Sequence, residues 1–138
     1  MLKPALAAAA LLAALVAGEA SAASANQFDL VCKGSEQKKT GAPATPWTER
    51  FRVDLDARRW CRAACTAPAA IDFFNAETIS ISDSRAATGG PSEVQLTLFR
   101  TTGKVREAIA MGWSGGDAEL AQGTCRREFF SGFPAQKF

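Results

Sequence analysis

The sequence contains no histidine and no tyrosine. Without histidine, Ser-His-Asp and Cys-His nucleophilic sites, c-type haem attachment and imidazole-ligated zinc are excluded. Carboxylate, lysine or serine chemistry is still open, but the two absences together lower the expectation of an enzyme. Neither sign of charge prevails: 16 basic residues face 14 acidic ones, for a net +2. That balance does not call for a polyanionic partner. Long apolar runs are also lacking. The one run of note, Ala5 to Ala17, falls short of the roughly 20 residues that span a bilayer.

That run is informative in its context. Met1-Leu2-Lys3 is a short basic start, and Gly18-Glu19 ends the apolar stretch before Ala20-Ser21-Ala22. Basic start, short apolar middle and small-residue exit are the order of a Sec-type secretory signal peptide. The expectation is a cleaved segment 1–22 and a single domain 23–138, periplasmic or secreted. No cysteine lies beside the cleavage region, so neither a lipid anchor nor a stable membrane anchor is expected. About 115 residues remain, enough for one modest core.

Period-two alternation dominates that remainder, the mark of strands with one buried face. Phe28, Leu30 and Cys32 alternate with Gln27, Asp29 and Lys33, ending at Gly34. Phe51, Val53 and Leu55 alternate with Arg52, Asp54 and Asp56, and the strand starts near Trp47. A turn over Asp56-Ala57-Arg58, with Asp56 bonding nearby backbone N–H groups, returns the chain along Arg59 to Arg62. Further strands are expected over Glu77–Asp83, Glu93–Arg100, Val105–Met111 and Ala118–Phe130. Thr101-Thr102-Gly103-Lys104 predicts a tight hairpin turn with Gly103 at positive φ. Glu107 falls on the inward face of its strand. Gly112 to Asp117 predicts a turn around Trp113, and Ser131 to Phe138 a flexible tail. The fold class is all-β: one small antiparallel meander or barrel of about seven strands.

The four cysteines, Cys32, Cys61, Cys65 and Cys125, permit three pairings in an exported chain. Cys61 and Cys65 sit either side of a bend, and Cys32 and Cys125 fall in the first and last strands. The favoured reading pairs each set, as staples rather than as a redox couple, since known dithiol oxidants space their cysteines differently.

Candidate binding residues are fewer. Arg58, Arg59 and Arg62 flank Trp60, and Arg126-Arg127 precede Phe129-Phe130. Such a mixture can stack on bases, but the near-neutral charge favours arginines that cover apolar surface and pair with carboxylates, so nucleic acid is not expected. Trp47, Trp60 and Trp113 plug the core or rim a ligand pocket. The carboxylates Asp54, Asp56, Asp72, Glu77, Asp83 and Glu107 are scattered, and no catalytic residue, metal site or cofactor is expected.

The pattern Phe28-x-Leu30-x-Cys32-x-Gly34, with Phe51-Arg-Val-Asp-Leu leading to Trp60-Cys61-x-x-x-Cys65 and a late Gly123-x-Cys125, resembles uncharacterised small exported β-proteins of alphaproteobacteria. The likeness spans nearly all of the chain after the signal segment and implies no activity. A looser resemblance is to periplasmic C-type lysozyme inhibitors, which are small exported antiparallel barrels. Their inhibitory loop joins Ser-Gly to a tyrosine; Ser114-Gly115-Gly116 has only the first part, and the Cys61/Cys65 pair is foreign to them. The expected function is an exported binding or structural protein whose partner is an envelope protein or a small apolar ligand. One alternative is a hydrolase inhibitor acting through Ser35–Pro46 or Ser84–Ser92. The other is a lipocalin-like carrier with an apolar cavity.

Overall fold

The computed structural model describes residues 24–63, 66–87, 90–111 and 118–134. The expected signal segment, Cys65, Trp113 and the Gly112–Asp117 turn lie outside the described residues. Nine strands follow in order: β1 Gln27–Gln37, β2 Thr45–Asp54, β3 Arg59–Arg62, β4 Ala69–Ala70, β5 Phe73–Phe74, β6 Thr78–Ala87, β7 Gly90–Phe99, β8 Lys104–Met111 and β9 Ala118–Glu128. No helix occurs among the described residues. The all-β antiparallel expectation holds. The count rises from about seven because β4 and β5 are two-residue pairings, too short to carry an alternation.

All nine strands form one sheet in the order β4-β3-β2-β1-β9-β8-β7-β6-β5. The first and last long strands are therefore neighbours at its centre, and its two edges are consecutive in the chain. Only Ile71 and Asp72 separate β4 from β5. At about 3.6 Å per residue, that link holds the edges within about 11 Å of each other, so the sheet must curl. The Ile71 N–H donates to the Arg58 carbonyl at 3.0 Å, and the Ser82 N–H donates to the Asp72 carboxylate. The shell is thus drawn together by chain and side chain, with β4 and β5 as unpaired edges.

Inward residues of the long strands make the core. Phe28, Cys32, Phe51, Val53, Ile79, Ile81, Leu96 and Val105 are among the buried ones. Trp47 and Trp60 flank Phe51 with ring centroids at 6.5 Å and 6.2 Å. Burial at roughly 25 cal/mol per Å² of apolar surface is the main force holding this shell.

The central β1–β9 seam has a covalent tie. Cys32 lies directly opposite Cys125, and the two are disulfide-bonded across a Cα–Cα distance of 3.9 Å. The next inward pair along the seam is Gly34 opposite Gly123. A Cβ at either would collide with the facing backbone, the Gln122 carbonyl or the Lys33 carbonyl, so glycine permits this close approach. β1 consequently continues through Gly34 to Gln37 rather than ending there. Cys61 is also disulfide-bonded; its expected partner, Cys65, lies outside the described residues.

Several side chains depart from simple alternation. Asp29 points away from the core yet is fully buried. Its carboxylate accepts from the Ser131 N–H at 3.2 Å, the Ser131 hydroxyl at 2.7 Å and Arg50 at 3.0 Å. Arg52 donates to the Gly132 carbonyl at 2.9 Å and the Ala63 carbonyl at 3.0 Å. Residues 129–134 are thereby fastened over the outer face of β1 and β2. That cover leaves Phe129 96% exposed, while Phe130 and Phe133 meet edge to face at 5.2 Å. In the β2–β3 turn the bonding carboxylate is Asp54, not Asp56: it accepts the Ala57 N–H at 2.9 Å. Asp56 instead takes the Ser24 hydroxyl and the Asn26 amide.

Candidate functional site

The two ends of the shell carry opposite chemistry. At the end where β1 finishes and β9 begins, four glutamates lie on the inward face: Glu36, Glu49, Glu107 and Glu119. Lys38 bridges Glu36 at 3.1 Å and Glu119 at 3.0 Å. Those hydrogen bonds, Glu119 first and then Glu36, raise the Lys38 pKa above its ordinary 10.5. Deeper in, Arg62 donates to Glu49 at 3.0 Å and to Glu107. The same guanidinium lies over the Phe51 ring at 5.3 Å and the Trp60 ring at 5.8 Å. The inward charge expected at Glu107 is real and is answered by a cation from the far side of the shell. Among the described residues no three His, Cys, Asp or Glu side chains converge to hold a metal.

The opposite end is a mouth. The starts of β1, β6 and β8 meet the ends of β7 and β9 there, around a cavity of about 340 Å³. Its floor is apolar: Phe28, Leu30, Ile79, Leu98 and the Cys125 side of the disulfide. Its rim carries Arg100, Lys104 and Arg127, with Phe99 40% exposed beside them. The turn between β7 and β8 shapes one wall. As expected, Gly103 has positive φ, at 69°. Its N–H donates to the Phe99 carbonyl at 2.8 Å, and its own carbonyl accepts the Cys125 N–H at 2.7 Å. A Cβ at Gly103 would sit 3.2 Å from the Cys125 carbonyl oxygen, so both conformation and space favour glycine.

The two rim arginines are placed by backbone and ring contacts. Arg100 donates to the Asn75 carbonyl, and its N–H donates to the Glu77 carbonyl at 2.7 Å. Asn75 in turn accepts the Glu77 and Thr78 N–H groups, each at 2.8 Å, which fixes the approach to β6. Arg127 donates to the Ala25 carbonyl at 2.6 Å and covers the Phe28 ring at 4.6 Å. Lys104 stands on the first position of β8.

The residues singled out from the sequence do not gather in one place. Trp47 and Trp60 are core, 8% and 2% exposed, and Arg62 points inward with them. Arg58 and Arg59 reach the carbonyls of Asp72 and Pro68, each at 3.4 Å, and Arg58 covers the Phe74 ring at 5.1 Å. Trp113 lies outside the described residues. The proposed inhibitory segments are shorter as loops than the sequence suggests: β1 and β2 take the two ends of Ser35–Pro46 and leave residues 38–44, and β6 and β7 enter Ser84–Ser92 from both sides. The mouth residues Arg100 and Lys104 escaped notice because they are separate in sequence from any aromatic cluster. The available signal was a pair of cations bracketing a glycine turn between two apolar strands.

Compared with protein-family models, curated proteins and solved structures, the chain matches none.

Proposed function

We propose that the protein is an exported binding protein, a small carrier that holds the apolar part of a ligand in the mouth cavity. The observation that supports this reading is the cavity itself. Its floor is made from inward faces of strands pinned by the Cys32–Cys125 disulfide. A concave, largely preformed and mostly apolar site with a few polar groups at its rim is how proteins take up small molecules. The disulfide agrees with an oxidising compartment, as does the signal-like order of residues 1–22. Among the described residues no helix is long and apolar enough to cross a membrane.

The inhibitor alternative has less support, since one of its two candidate loops, Ser84–Ser92, is mostly paired strand, which leaves it only residues 38–44 of the other. The carrier reading is tested by titrating the full protein with 1-octanol and following amide shifts by NMR. Saturable shifts at Phe28, Ile79, Leu98 and Gly103 are expected; Ala76 also lines the cavity and is exposed, so Ala76→Trp, which fills the cavity from its rim, should abolish them. Shifts that grow without saturation, or that ignore the Ala76→Trp change, would remove the carrier reading.

A further inference from the structure

We infer that the mouth cavity takes an amphiphile with an anionic head, its chain on the apolar floor and its head among Arg100, Lys104 and Arg127. The inference rests on the carrier reading and adds the ligand's charge and shape.

The charge distribution carries it. Elsewhere Lys38, Arg50, Arg62 and Arg126 are each paired with a carboxylate, while Arg52, Arg58 and Arg59 donate to carbonyls away from the mouth. Arg100, Lys104 and Arg127 have no carboxylate within ion-pair distance among the described residues, and no acidic residue lines the cavity. Arg100 and Arg127 donate only to carbonyl oxygens, which leave their positive charge unneutralised. Three such charges around a low-dielectric floor concentrate positive potential at the opening. The inward glutamates at the opposite end reinforce that polarity along the shell. Two guanidiniums also offer the planar forks that match a carboxylate or phosphate.

The floor accounts for the chain. A free anion would need only the rim, yet Phe28, Leu30, Ile79 and Leu98 extend the site into the shell. At about 30 Å³ of liquid volume per water-sized group, the cavity holds about 11 non-hydrogen atoms. Octanoate is of that size.

The experiment compares octanoate, 1-octanol, octylammonium and acetate on the full protein by calorimetric titration. Octanoate is expected to bind at least tenfold more tightly than octanol and acetate, with octylammonium weakest. Raising the salt to about 1 M, where the screening length is about 3 Å, should narrow the gap between octanoate and octanol. Lys104→Gln, at an exposed position, should weaken octanoate severalfold and leave octanol unchanged. Saturable octanol binding equal to that of octanoate would overturn the anionic head while leaving the carrier reading intact. Equal binding of acetate and octanoate would overturn the amphiphile. Failure of both octanol and octanoate to bind would overturn the carrier reading itself.

Discussion

Arg62 on β3 donates a hydrogen bond to Glu107 on β8, across the interior of the sheet rather than along it. The two strands are not neighbours in the sheet, so this ion pair ties opposite walls. Glu107 is 5% exposed, and an uncompensated charge there is costly. Arg62→Met is expected to destabilise the fold by about 3–5 kcal/mol, the usual cost of stranding one member of a buried pair. Glu107→Leu should cost less, because Arg62 retains Glu49 at 3.0 Å. The double variant should cost clearly less than the two single changes together, and urea unfolding of all four proteins measures the difference. Simple additivity would show that the pair is not coupled.

The disulfide at the central seam makes a separate prediction. Cys32 and Cys125 are 93 residues apart in sequence. The chain-entropy relation assigns such a loop about 4.6 kcal/mol through restriction of the unfolded chain. The Cys32→Ala/Cys125→Ala protein should lose about that much stability in denaturant titrations under non-reducing conditions. A loss below about 1 kcal/mol would mean that the unfolded chain keeps the seam without its bond.

Acid should act through the outer face. Hydrogen bonds from Arg126 first, and then Arg50, hold Glu128 below its ordinary 4.5. Bonds from Ser24 and Asn26 hold Asp56 below its ordinary 3.8. For a carboxylate whose folded pKa is depressed, the extra stability is present above the unfolded pKa. It declines as pH falls below that value and is lost below the folded one. The melting temperature should therefore drop as pH falls through about 4.5. Glu128→Gln should flatten the upper part of that descent, and added salt should shrink it because these groups are near solvent. A variant with an unaltered acid profile would assign the effect elsewhere.

Much of the architecture was legible from alternation alone. Val94, Leu96 and Leu98, or Ile79 and Ile81, have one inward face and few competing signals, and Gly103 marked its turn correctly. What escaped has physical causes. Asp29 reads as a solvent residue because nothing local reveals that Ser131, about a hundred residues later, will bury it and satisfy its oxygens. Gly34 reads as a strand end because its value lies in the approach of Gly123, a long-range fact. β4 and β5 are too short for any period. The mouth was invisible for the same reason as the seam: Phe28, Leu98, Arg100 and Arg127 become neighbours only when the sheet curls. For Trp47 and Trp60 the sequence left core and ligand site both open, because large aromatics mark either, and the structure places both in the core.

The placement of β1 beside β9 has a consequence in time. A chain made from its N-terminus offers β1 a partner on one side early, in β2, but its other partner is the last strand to appear. Until Glu128 is delivered, the future middle of the sheet is an open edge, and open edges pair with whatever strand arrives. The contacts that finish the molecule are also its most distant in sequence, which slows their formation. The nascent protein is thus at its most vulnerable to aggregation where the mature one is most securely joined.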